Sequence, residues 1–186
     1  VKTYVVVCNE HFAINRCLEQ AAVTGWKVNT NHFERGSEHT PFLDAKKPAL
    51  LFWHFTDVFY HTDNDRIDKV SKTTLTNVGL STWATAMALA EGQEALALQT
   101  VTELEKAWKA RLQIEKDLSV EAIANKSSNA TKEIQIIKAW ASWYQGALQT
   151  IKEIPAKKSD KLSKRIEQLS AELIALEKDV LRAIRG

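Results

Sequence analysis

The sequence predicts an α+β or α/β protein, in which a small parallel α/β module is followed by an antiparallel bundle of three long helices. Over residues 1–65, short apolar runs alternate with a helical pattern, as in strand–helix–strand units. Over residues 81–186, apolar side chains recur every three or four positions, as in amphipathic helices. Residues 66–80 are predicted to form a linker or a short helix between the two parts.

Three short apolar segments are the predicted strands of the N-terminal module. They are TYVVVC at residues 3–8, the weaker KVNTNHF at 27–33, and PALLFWHF at 48–55. The first and last are almost entirely apolar, as expected of strands that are buried on both faces. A helix is predicted between the first two strands, because Asn9 can cap its start and Gly25 is typical of a helix end.

The segment YVVVCNEHFAINRCLEQAAVTGWKV, with DAKKPALLFWHF further on, resembles the first half of a response-regulator receiver domain. The resemblance covers residues 1–55 and implies a parallel sheet. A receiver holds Mg²⁺ with an acidic pair after its first strand, where this chain has Cys8, Asn9 and Glu10. Its phosphoacceptor aspartate would fall at about His54, which cannot form an acyl phosphate. The resemblance therefore implies a degenerate receiver-like module that lacks phosphotransfer activity.

The C-terminal half is predicted to contain three long helices. The first runs from Ser81 towards Ala124, and Gly92 weakens it by about 1 kcal/mol relative to alanine. The second runs from Thr131 to Ile154, where Pro155 ends it. The last follows Ser159, and its apolar side chains alternate spacings of four and three, which is typical of a helix that packs against another helix. These heptad residues are Leu162, Ile166, Leu169, Leu173, Leu176 and Val180.

Composition narrows the functional class. The chain is 45% apolar and 26% charged, with a formal net charge of +2, so its overall charge implies no polyanionic partner. The longest apolar run, residues 49–55, is too short to span a bilayer. Cys8 and Cys17 form no CxxC motif or disulfide framework, and no signal-peptide pattern follows Lys2. We therefore expect a cytoplasmic protein with reduced thiols.

A metal site is the main catalytic possibility. His54, Asp57 and His61 are spaced as i, i+3 and i+7, and they would share one face of a helix. Imidazole and carboxylate groups suit zinc or another divalent transition metal. The aromatic residues around them favour a strand, in which His54 and Asp57 point to opposite faces. A buried strand that leads into an acidic loop is therefore preferred, and a metal-dependent enzyme is an alternative.

Other chemical signatures are incomplete. The sequence has neither a GxGxxG nor a GxxxxGK[ST] phosphate-binding motif, so no cofactor is predicted. A basic run near the start of the last helix could contact nucleic-acid phosphates or an anionic surface. Asp160 interrupts that run and no base-stacking aromatic set accompanies it, so a solvated helix start is preferred. Its members are Lys157, Lys158, Lys161, Lys164 and Arg165.

Aromatic side chains on the second long helix suggest a binding surface. Trp140, Trp143 and Tyr144 fall near one edge of its apolar stripe, where they can serve either as bundle core or as anchors for a partner. With the heptad residues, they predict a non-enzymatic adaptor or regulatory protein that binds a protein partner or self-associates through its C-terminal helices. A structural subunit of a larger assembly, such as a phage or viral particle, is the other alternative.

Overall fold

The computed structural model describes residues 8–28, 36–47, 49–53 and 57–185, and all the regular structure in these ranges is helical. Two 3-10 turns, Ile67–Lys69 and Ile151–Glu153, accompany the α-helices. The α-helices are α1 (Cys8–Thr24), α2 (His39–Asp44), α3 (Lys72–Glu91), α4 (Glu94–Ala124), α5 (Ala130–Thr150) and α6 (Asp160–Arg185).

The predicted parallel α/β module is wrong, because no described residue of 1–65 forms a strand. Most of the first two predicted strands lies outside the described residues. Cys8, Asn9 and Glu10 belong to the first turn of α1, so Asn9 lies within the helix and does not cap its start as predicted. Residues 49–53 of the third predicted strand have no regular structure.

The failure of the third predicted strand has a physical reason. The described run ALLFW contains no β-branched side chain, so it lacks the residues that stiffen a strand. Leu50, Phe52 and Trp53 are 39%, 41% and 51% exposed, so the run is not buried on both faces. In apolar runs as short as this one, periodicity alone does not distinguish a strand from other kinds of apolar segment.

The described residues divide into two compact units, one within Glu10–Ala90 and the other within Glu91–Gly186. In the first unit, α1 and α3 pack antiparallel. Gln20 Nε2 donates to Asn77 Oδ1 at 3.2 Å, and the Cys17 thiol lies beside the Ser81 hydroxyl. The predicted end of α1 is confirmed, because Gly25 lies at φ +70° and its N–H donates to the Ala21 carbonyl at 2.9 Å.

The second unit is a three-helix bundle in which α4, α5 and α6 each pack against the other two. Ser119 near the end of α4 donates to Glu133 near the start of α5 at 2.9 Å, so these two helices are antiparallel. Ser159, just before α6, contacts Glu94 at the start of α4, so α6 runs parallel to α4. The core is made of fully buried side chains, which include Val101, Leu104, Trp108, Leu112, Ile137, Leu148, Ile166, Leu169 and Leu173.

Gly92 separates α3 from α4, so the long helix predicted from Ser81 to Ala124 is two helices. Gly92 lies at φ +56°, where residues with a Cβ are strained. Its carbonyl accepts the Ala156 N–H at 3.0 Å, and a Cβ at this position would lie 3.1 Å from the Ile154 carbonyl oxygen. The close approach of the chain after α5 therefore requires glycine here.

Gly92→Ala is expected to lower the free energy of unfolding by about 1–3 kcal/mol, because alanine is strained at positive φ and its Cβ would crowd the Ile154 carbonyl. Gly146→Ala is the matched control. Gly146 lies within α5 with open space around its Cβ position, so alanine there should stabilise the fold by about 0.5–1 kcal/mol. Urea denaturation followed by circular dichroism measures both changes. Effects of the same sign and size would contradict the steric role of Gly92.

Candidate interaction surfaces

The predicted metal ligands do not assemble into a site among the described residues. His54 lies outside these residues. The Asp57 carboxylate accepts the Phe59 N–H at 2.9 Å, and the His61 ring stacks on Tyr60 with centroids 3.8 Å apart. His61 itself lies at φ +60°, so Asp57 and His61 belong to a turn and not to a helix face. In the ranges that the structure describes, no three His, Cys, Asp or Glu side chains are grouped to hold an ion.

The heptad residues of α6 lie in the core of the bundle. Because α4 and α5 occupy the space that a partner helix would take, these side chains are not available to a second chain while the bundle is closed. Self-association through α6 stays a prediction that would require the bundle to open. Five of the six are at most 3% exposed, namely Leu162, Ile166, Leu169, Leu173 and Val180, and Leu176 is half-buried.

Trp140, Trp143 and Tyr144 form an aromatic cluster on the edge of α5 that faces α4. The ring centroids of Trp143 and Tyr144 are 4.6 Å apart with near-perpendicular planes, and those of Trp140 and Tyr144 are 6.1 Å apart. The Arg111 guanidinium lies 4.5 Å from the Trp140 ring centroid and pairs with Glu115 at 3.2 Å. Tyr144 is buried and both tryptophans are half-buried, so this cluster joins the core to a partly exposed edge.

Burial raises the pKa of the Tyr144 hydroxyl, and the Arg111 guanidinium beside it opposes part of that rise. Because the folded-state pKa is raised, the stability that neutral Tyr144 contributes is complete below about pH 10, the ordinary tyrosine pKa, and is lost as the pH rises through the folded-state pKa. As the pH rises above about 10, the free energy of unfolding should therefore fall less in Tyr144→Phe than in the unchanged protein. Urea titrations of both proteins across this pH range measure the difference. Equal losses in the two proteins would contradict the prediction.

Helix α3 exposes a row of large apolar side chains, which we call the α3 face: Leu75, Leu80, Trp83 and Met87. They are 63%, 48%, 65% and 48% exposed, respectively. Leu80, Trp83, Met87 and Ala90 are spaced by three, four and three residues, which is the spacing of a helix that packs against another helix. Soluble monomers rarely expose a contiguous apolar patch of this kind unless it binds something.

The side of α3 that is buried carries polar groups instead. Its buried side chains are Asn77 and Ser81, which lie against Gln20 and Cys17 of α1. Between Lys72 and Glu91 the helix contains no charged side chain. The spacing of apolar residues in the sequence places Trp83 and Met87 on one stripe of the helix, but it does not indicate that the α3 part of this stripe is left uncovered.

The basic run lies along the start of α6 and the loop before it. Lys157, Lys158, Lys161 and Lys164 are exposed, and Arg165 is half-buried. The Arg165 Nη2 atom pairs with the Glu105 carboxylate of α4 at 2.7 Å. Nucleic-acid binding by this run stays a prediction.

Comparisons with protein families, with curated proteins and with solved structures find no match for this chain. None of the helices in the described ranges is long and apolar enough to cross a lipid bilayer.

Proposed function

We propose that the chain is a non-enzymatic interaction protein that associates with a second copy of itself through the α3 face. The observation that supports this most is that Leu80, Trp83 and Met87 are exposed apolar side chains with heptad spacing, on a helix that has no charged residue between its two ends. Burying apolar surface of this kind contributes about 25 cal/mol for each Å² removed from water, and this gain opposes the entropic cost of association. Trp83 is the natural anchor, because tryptophan is among the residues that contribute most to interfaces.

The charge pattern of α3 favours a second copy as the occupant. Because no charge lies between Lys72 and Glu91, two α3 helices can pack together without placing like charges in contact. In an antiparallel pair, Lys72 of each copy lies near Glu91 of the other, so opposite charges meet at both ends. This register places Leu80 against Trp83 of the second copy. Such a pair has two-fold symmetry and uses the same face in both copies.

Association through α3 leaves the C-terminal bundle core intact. The heptad residues of α6, such as Leu169, remain buried against α4 and α5. An adaptor or regulatory role fits a closed pair of chains, because a two-fold interface stops at two copies. A structural subunit of a larger assembly would need a further contact that continues beyond the pair.

The solution mass of the full chain, measured by light scattering over a concentration series, tests the proposal. We expect the mass to rise from one chain to two and then to stay constant. A mass of one chain at every concentration would contradict self-association. Growth beyond two chains would instead favour the assembly-subunit alternative.

A further inference from the structure

A groove of about 380 Å³ lies between the first halves of α4 and α6, within the C-terminal bundle. It is open to solvent along one side. Three of its six described lining residues are cationic and none is acidic. The α4 side contributes Leu98 and Thr102, and the α6 side contributes Lys161, Lys164, Arg165 and Gln168.

Ion pairs across the two helices border the groove. Glu105 of α4 accepts from Arg165 at 2.7 Å and from Lys109 at 2.6 Å. Lys109 also lies 3.7 Å from Glu172 of α6. These two acids and two bases neutralise one another, so most of the Arg165 charge is already balanced.

Lys161 and Lys164 carry the positive charge of the groove that these ion pairs do not balance. Neither lysine makes an ion pair within the described part of the chain. They are three residues apart on α6, about 4.5 Å along the helix axis, so both ammonium groups can reach one ligand in the groove. The acids nearest to these lysines in sequence are Asp160 at the start of α6 and the exposed Glu167, and neither of them lines the groove. Residues 157–165 still contain five bases and one acid.

The neutral polar groups of the groove are already engaged. The Thr102 hydroxyl donates to the Leu98 carbonyl at 3.1 Å, and the Gln168 amide donates to Glu172 at 2.9 Å. Recognition therefore depends on the two lysines, with the free N–H groups of Arg165 as additional donors. Ammonium and guanidinium groups bind phosphate oxygens strongly. The volume is at the small end of ligand pockets, which suits a compact anion better than an extended polymer.

We propose that this groove binds a small polyphosphate anion, either free or as the phosphate tail of a nucleotide. The proposal goes beyond self-association through the α3 face and does not depend on it. Two adjacent ammonium groups match an anion that carries several negative charges on neighbouring phosphoryl groups, whereas a single orthophosphate engages only part of the groove.

Isothermal titration calorimetry of the full chain with tripolyphosphate, and separately with ATP, tests the proposal. We expect saturable binding of one tripolyphosphate per chain. The double variant Lys161→Gln/Lys164→Gln should bind it about tenfold or more weakly, because two charge-assisted contacts are lost. The matched control is Lys132→Gln/Lys138→Gln, which removes two exposed lysines from α5 and should bind like the unchanged protein.

The ligand source and the alternatives are separated in the same experiment. Equal affinities for tripolyphosphate and ATP support recognition of the phosphate chain alone, and tighter binding of ATP supports a nucleotide as the source. The proposal is overturned by an absence of saturable binding, or by equal losses in the two double variants, which would indicate non-specific charge attraction. Saturable binding of a single-stranded oligonucleotide but not of tripolyphosphate would also overturn it, in favour of nucleic acid.

Discussion

Leu169→Ala is expected to lower the free energy of unfolding by about 2–5 kcal/mol, which is the usual range for a leucine removed from a packed core. Leu169 is 0% exposed and lies on the heptad stripe of α6 between α4 and α5. The substitution loses the transfer free energy of three carbon atoms and leaves a cavity that the surrounding helices fill only in part. Urea denaturation followed by circular dichroism measures the loss.

Leu176→Ala is the matched control, since Leu176 is the same residue type on the same stripe of the same helix but is only half-buried. Its truncation should cost clearly less than that of Leu169. The solution mass of both variants should equal that of the unchanged protein at each concentration. The prediction would be contradicted if both variants lost the same small amount of stability. It would also be contradicted if Leu169→Ala alone changed the solution mass while it stayed folded, because the stripe would then face a second chain and not the bundle core.

The double variant Leu80→Glu/Trp83→Glu is expected to abolish self-association at all accessible concentrations. Two glutamates would be brought against two others at the centre of the interface, and the apolar contact of Trp83 would be lost. Removal of one such anchor alone weakens a complex by about 2 kcal/mol, or about thirtyfold. Both side chains are exposed, so the fold itself should be unchanged by circular dichroism.

Val58→Glu/Ile67→Glu is the control for this change. Val58 and Ile67 are 79% and 87% exposed apolar residues of the same unit, but they lie outside α3. This variant introduces the same two charges and should keep the mass of the unchanged protein. If both double variants dissociate, the effect comes from net charge, and the α3 face is not the interface.

The two C-terminal helices could be predicted from sequence because their local signals agree. The spacing of apolar residues marked α6, and Pro155 marked the end of the second long helix. Predicted as Thr131–Ile154, that helix is observed as Ala130–Thr150 followed by a 3-10 turn. The Asn129 side chain caps its start by accepting the Lys132 N–H at 3.1 Å. Here periodicity and end signals specify the same element.

The N-terminal prediction failed where only one signal was present. The apolar run at residues 49–53 shows no period, so its composition alone predicted a strand. A strand also needs neighbours that satisfy its backbone groups, and the sequence of one segment does not reveal them. The helix that ends before Gly25 was predicted correctly because it combined a period with an end signal.

The proposed binding surface was hard to predict for a related reason. A heptad spacing shows that a helix packs against something, but it does not show whether the partner lies in the same chain. The stripe that includes Leu169 is covered by α4 and α5, whereas the stripe that includes Trp83 is exposed. The regular spacing on α6 predicts partner binding from sequence, whereas the shorter pattern around Trp83 does not stand out from it.

Mixing two oppositely charged variants tests most directly whether α3 packs against α3 of a second copy. One is Leu80→Glu/Trp83→Glu and the other is Leu80→Lys/Trp83→Lys. In an antiparallel pair position 80 meets position 83 of the other copy, and in a parallel pair each position meets its own equivalent, so the substituted residues come into contact in both cases. We expect each variant alone to have the mass of one chain, and an equimolar mixture to recover the mass of two, because opposite charges then meet across the interface. An unchanged protein that dimerises while the mixture stays at the mass of one chain would contradict pairing through α3.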